Sequence, residues 1–173
     1  MSLLTDGRSE TLDGIVLPDS PENIRIFADA DSTLFVHNEA ELYDDAERLL
    51  ESVDPEKLII VSANPNQDLR QDRLRTVDCK DIIIPNRIRF CKFGLYLEAA
   101  STVSTEGFQD TTVVIDDLRI LGTLAGKIAL KRLGYRDVYS WGINRNIENT
   151  NPLDSTLSII GKIGSTTISG IKL

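Results

Sequence analysis

Residues 24–34 read IRIFADADSTL, and two carboxylates, Asp29 and Asp31, stand one residue apart directly behind the apolar run Ile24, Ile26, Phe27 and Ala28. Two adjacent charges at the end of a buried strand are costly to desolvate and call for a use. Similar juxtapositions recur downstream. KLIIV is followed by Ser62, Ala63 and Asn64, TTVVI by Asp116 and Asp117, and Lys92 opens the segment KFGLYLEAASTV. Four carboxylates that converge in a partly desolvated crevice need protons or a cation to neutralise them. A divalent metal is the economical solution, and Mg²⁺ takes oxygen ligands from one or two carboxylates together with a substrate phosphate. One carboxylate can then attack phosphorus while a second protonates the leaving oxygen and later activates water. Phosphoryl transfer asks mainly for charge neutralisation, which a metal, a lysine and hydroxyl or amide donors supply.

The elements that must position these residues follow from periodicity. IRIFA, KLIIVSA, DIIIP, TTVVIDD and RDVYSWG read as five strands, the central ones apolar on both faces. Between them lie helical patterns. ELYDDAERLLESV puts Leu42, Ala46, Leu49, Leu50 and Val53 on one face, and NQDLRQDRLRTV is polar with Leu69 and Val77 inward. KFGLYLEAASTV is a third helix, and LGTLAGKIALKRLG places Leu121, Leu124, Ala125, Ile128 and Ala129 on one stripe before Gly134 as its stop. The alternation predicts an α/β fold, a three-layer doubly wound Rossmann-like arrangement with a mainly parallel five-stranded sheet and no large cap domain. Ligands of such sheets bind outside the carboxyl ends of the strands, which is where the acids and the serine fall.

Length and charge bound the reading. With 173 residues and 41% apolar content the chain suits a single core. Residues 1–23 read as an N-terminal arm, 24–145 as the domain, and 146–173 as a β-like tail or hairpin packed on it, with a dimer contact there left open. Lys and Arg number 19 against 27 Asp and Glu, a net charge of −8 that disfavours loose binding to nucleic acid or anionic membrane. Cys79 and Cys91 match no metal spacing and form no disulfide framework, and the opening residues carry no signal-peptide pattern, so the expected location is the cytoplasm. No apolar run is long enough to span a bilayer.

The ordered series DADST, VSAN, the lysine of CKFG and VIDD resembles the four-motif signature of the haloacid dehalogenase-like superfamily of phosphohydrolases. Carried over, the resemblance implies that Asp29 is the nucleophile, that Asp31 is the general acid/base whose backbone carbonyl also touches Mg²⁺, and that Thr33 orients the loop. Ser62, with Ala63 and Asn64 beside it, would bind the transferring phosphoryl group, Lys92 would steady its charge, and Asp116 or Asp117 would complete the metal site. Lys80 and Arg89 are alternative cations. An acid two positions after the nucleophile goes with phosphatases and phosphotransferases in that superfamily. The short spans from Asp29 to Ser62 and from Ser62 to Lys92 leave no room for a large cap, so the likeness is to the capless branch, whose open sites take phosphorylated small molecules or exposed phosphates on larger substrates. Ser32 stands where relatives carry glycine or asparagine, Phe93 where many carry proline, and Leu121 and Gly122 where many carry a further acid; with that altered fourth motif, a catalytically weak binding or assembly module on the same scaffold is the alternative. Outside the series, His37, Tyr139 and Trp141 read as surface or packing residues, Arg87 and Arg89 as a solvated loop, and Arg70, Arg73 and Arg75, interleaved with Asp68 and Asp72, as a salt-bridged helix surface.

Overall fold

The apolar run that ends at Asp29 is a strand, β2 (Arg25–Asp29), buried from its second residue onward. It lies at the centre of a sheet seen in a computed structural model that describes residues 6–79, 81–84, 92–117 and 119–145. The chain runs through β1 (Gly7–Ser9), β2, α1 (Asp44–Ser52), β3 (Leu58–Val61), α2 (Gln67–Leu74), β4 (Ile82–Ile83), α3 (Lys92–Ser101), β5 (Thr112–Asp116), α4 (Arg119–Leu133) and β6 (Val138–Ile143). Strand order is β1-β6-β5-β2-β3-β4, with every neighbouring pair parallel. After β4 the chain crosses to the far side of β2 to form β5, so the winding reverses between β2 and β5. That is the switch point at which doubly wound sheets bind ligands.

The period of two along each central strand divides the core. Ile26, Ala28, Ile60, Val113 and Ile115 face one layer with Ala46 and Val53 of the α1 region and Leu12 of the N-terminal segment. Phe27, Ile59, Val61 and Val114 face the other, against Leu95, Tyr96, Ala99 and Ala100 of α3 and Ala129 and Leu130 of α4. No described helix is long and apolar enough to cross a membrane.

Three features differ from the sequence expectation. The sheet has six strands rather than five, because Gly7–Ser9 pairs with β6 in register Gly7 to Trp141. Three residues carry too short a pattern to read as a strand, and what seats them is polar. Asp6 Oδ2 accepts from Lys127 Nζ at 2.6 Å and from Ser140 N at 2.7 Å, while Trp141 Nε1 donates to Ser9 Oγ at 2.9 Å. The second difference is α4. Its buried face carries Gly122, Thr123, Gly126, Lys127, Ala129 and Leu130, and Ile128 is 45% exposed. Of the expected stripe, Ala129 is buried, Leu124 and Ala125 are half-buried and Ile128 is exposed, while the side chain of Leu121 lies outside the described residues; small residues, Gly122, Thr123 and Gly126, take up part of the buried face instead. Third, the inward residue of α2 is Arg73, and Val77 is buried beyond the helix end. Gly134 does stop α4, in the left-handed conformation at φ 100°. The tail 146–173, Lys80, Cys91 and the loop carrying Arg87 and Arg89 lie outside the described residues.

At Gly126 the backbone of α4 comes close to β5 and α3. A Cβ there would lie 2.6 Å from Val114 Cγ1 and 3.2 Å from the Tyr96 ring. Overpacking at such a contact costs about 1–3 kcal/mol, against a helix-propensity gain of at most about 1 kcal/mol. Gly126→Ala is therefore expected to lower the urea midpoint, and Gly126→Val to lower it further; a more stable Val variant would show that the helix does not need this approach.

Candidate active site

β2 ends on Asp29 and β5 on Asp116, and Asp117 follows at once, so the switch point itself delivers three carboxylates. Asp29 is 2% exposed and Asp116 fully buried. Lys92, the first residue of α3, donates its ammonium to Asp29 Oδ1 and lies 3.3 Å from Asp116 Oδ2. One helical turn later Tyr96, also buried, donates its hydroxyl to the same Asp116 oxygen at 2.8 Å. Carboxylate oxygens of Asp29, Asp116 and Asp117 all lie within 4.8 Å of one another. The donors are all hard oxygens, the ligand type that a small divalent cation takes, so these three residues could hold one.

The electrostatics follow from burial. Desolvation pushes Asp29 well above the usual carboxylate range, with Lys92 opposing and Asp116 and Asp117 adding to the rise. Asp117 is pushed up to about 7, by burial first and then by the charge of Asp116. Desolvation would lower Lys92, but the surrounding carboxylates outweigh it and hold its ammonium above its ordinary value.

Asp31 sits in a second, less buried group. Its Oδ2 accepts from Ser62 Oγ at 2.9 Å, and its Oδ1 accepts from Arg73 Nη2 at 2.7 Å and Asn38 N at 3.3 Å. Burial raises its pKa, but the hydrogen bond and charge of Arg73, with Ser62 and Asn38, outweigh that and hold it below the usual range. The chain reaches this position through a tight turn. Leu34 N and Phe35 N both donate to Ala30 O, and Ser32 N donates to Phe35 O at 2.8 Å. Ser32 adopts φ 60°, the left-handed region, which is why glycine or asparagine suits that position. Thr33 is buried; its hydroxyl has no partner among the described residues, while its carbonyl accepts from Arg145 Nη2 at 2.7 Å. Arg145 also donates to Asp45 Oδ1 at 2.7 Å and stacks over Tyr43.

Of the residues singled out in the sequence, Asp29, Lys92, Asp116 and Asp117 form one cluster, and Asp31 and Ser62 meet beside it. Among the described residues, Lys92 is the cation that meets Asp29 and Asp116. Asn64 builds the turn: its N–H donates to Ser62 Oγ at 3.1 Å, its side-chain amide donates to Asn38 Oδ1 at 3.0 Å, and its own Oδ1 accepts from Asn66 N. Ala63 and His37 are exposed. Two site residues escaped the sequence reading. Tyr96 was within reach, since it stands four residues after Lys92 on the same helical face. Arg73 was masked by its acidic neighbours. Asp72 pairs instead with exposed Arg75, and Arg70 with Asp81, leaving Arg73 to turn inward. No family model, curated protein or solved structure matches the chain.

Asp117 binds a proton in the folded state up to about pH 7, whereas in the unfolded chain it releases that proton near pH 4. The folded state therefore holds the extra proton between those values, and this group's contribution to stability falls as pH rises through them. In metal-free protein, Asp117→Asn is expected to exceed wild type in stability at pH 8 by about 1–3 kcal/mol. The gap should close toward pH 4 in urea titrations, and a gap that widens on acidification contradicts the assignment.

Proposed function

We propose that this chain is a Mg²⁺-dependent phosphohydrolase that cleaves phosphate monoesters through an aspartyl-phosphate at Asp29, with the chemistry of the capless haloacid dehalogenase-like phosphatases. The observation that carries the proposal is the buried ion pair of Lys92 with Asp29, gathered with Asp116 and Asp117 at the switch point of a parallel sheet. Three carboxylates around one lysine leave negative charge that is costly to bury unless protons or a further cation neutralise it. Asp29, Asp116 and Asp117 would hold Mg²⁺, with the Asp31 carbonyl added by the superfamily resemblance. When bound, the ion supplies charge neutralisation for the cluster and for the incoming phosphate.

The protein's own groups then divide the work. An Asp29 carboxylate oxygen attacks phosphorus, the ester P–O bond breaks, and Lys92 offsets charge on both partners. The leaving oxygen takes a proton from Asp31, giving the free alcohol. Asp31 rests as a carboxylate, so it must first acquire that proton, and the approach of an anionic phosphate favours this by raising its pKa. Water next attacks the aspartyl-phosphate, Asp31 accepts the proton, and Asp29 is released with inorganic phosphate. Ser62 Oγ can donate to a phosphoryl oxygen once it turns from Asp31. The substrate is a phosphorylated small molecule or an exposed phosphate on a larger one, and the absence of a disulfide framework favours the cytoplasm as its setting.

With an aryl phosphate, wild type is expected to release phosphate in a Mg²⁺-dependent manner, Asp29→Asn to lose at least about 10³-fold in kcat and Asp31→Asn about 10²–10⁴-fold. Equal rates in the three proteins would leave a binding module, the reading that an Asp31 tethered by Arg73 also fits. Independently of turnover, Tyr96→Phe removes the donor that orients Asp116 and is expected to weaken Mg²⁺ binding about 10–100-fold by calorimetry. Unchanged affinity would confine Tyr96 to packing.

A further inference from the structure

We propose that Arg73 is a positioning residue for Asp31, an arginine supplied from α2 that fixes the acid/base carboxylate and the loop around it; the role rests on the phosphohydrolase reading above. Arg73 is 1% exposed, an unusual place for a residue type almost never fully buried unless paired. Among the described residues, the partners of its side chain belong to the segment that follows the nucleophile. Nη2 donates to Asp31 Oδ1 at 2.7 Å, Nε donates to Glu39 O at 2.8 Å, and the guanidinium lies 4.8 Å over the Phe35 ring.

Core packing alone does not call for this residue. Leu69, Ile82 and Ile84 line the same cleft as Arg73, and a buried ion pair replaced by apolar side chains of similar volume is often neutral or stabilising. What an apolar residue cannot supply is orientation. The planar fork gives two donors in fixed relation, so one side chain ties the Glu39 carbonyl and the Asp31 carboxylate into a single geometry, which the point charge of lysine cannot do. The two oxygens of Asp31 are thereby distinguished. Oδ1 is held by Arg73 and Asn38, and Oδ2, among the described residues, by the Ser62 hydroxyl. When Ser62 turns to a phosphoryl oxygen, Oδ2 is left free while Arg73 still fixes the plane of the carboxylate. Proton transfer requires an approach of roughly 2.6–3.2 Å, so this orientation bears on turnover and little on substrate binding.

A double-variant cycle separates that role from a structural one. Against an aryl phosphate with Mg²⁺, Arg73→Lys is expected to lower kcat about 10–100-fold with KM changed less than about threefold. In the Asp31→Asn background the same substitution should change kcat by less than about twofold, because the group it orients is already gone. Arg73→Met, close in volume, serves the same cycle should the lysine variant fail to fold. Losses that multiply in the double variant, or a raised KM at unchanged kcat, overturn the assignment and make Arg73 a structural or substrate-binding residue. Wild type no faster than Asp29→Asn overturns the phosphohydrolase reading itself, and the role of Arg73 with it.

Discussion

The structure depends on one electrostatic constraint: three carboxylates and one ammonium share a desolvated volume at the carboxyl ends of β2 and β5. In water such a group would be unremarkable. Buried, it demands compensation, and the fold supplies it from several directions. Lys92 begins α3, so its side chain projects from the helix start toward the strand ends. Tyr96 follows one turn on and answers Asp116. The close approach at Gly126 brings α4 against the Tyr96 ring, and so helps fix the hydroxyl that faces the cluster. Packing on this side of the sheet is thus also the support of its charges.

The two acids of β2 are served from opposite faces. Asp29 closes the strand and is met by α3. Asp31, two residues on and past the turn at Ala30, is met by Ser62 from the end of β3 and by Arg73 from α2. The separation has an electrostatic consequence. Burial drives Asp29 toward its protonated form, whereas the guanidinium beside Asp31 holds that carboxyl ionised. Two aspartates one residue apart in sequence therefore differ in protonation tendency because their partners come from different helices; for the proposed chemistry this split must reverse, as a cation beside Asp29 and an anionic phosphate beside Asp31 would make it do.

The layers, the parallel sheet and the strand-end placement of Asp29, Ser62 and Asp116 were legible because buried parallel strands are continuous apolar runs and their ends are sharp. The first strand was not. Gly7–Ser9 has no apolar signature and is seated by Asp6 reaching Lys127 and Ser140, contacts that join opposite ends of the chain. The face of α4 was misjudged in part for a related reason: hydrophobic periodicity weights Ile128 heavily and glycine hardly at all, yet Gly126 lies close against Val114 and Tyr96. Arg73 illustrates the limit on the site itself. Arginines and aspartates interleaved on a short polar helix have the pattern of a solvated surface, and only tertiary geometry distinguishes the one that turns inward.

The loop between Asp31 and α1 is held at both ends by arginines from distant parts of the chain. Arg145, just after β6, takes the Thr33 carbonyl and Asp45, while Arg73 takes the Glu39 carbonyl and Asp31. Between them the loop closes on itself through Val36 N to Glu41 O and Tyr43 N to Leu34 O, and is tied to the Ser62 turn by Asn64 and Asn38. A segment so bonded has the character of a wall rather than a hinged cover, since many of its backbone donors already have partners. For the proposed chemistry, exclusion of bulk water from the first phosphoryl transfer would then fall to the bound substrate as well as to the protein. Under that proposal, a leaving group that itself covers the strand ends while bound would complete the enclosure, and a phosphate carried on a bulky molecule would do so better than a small one.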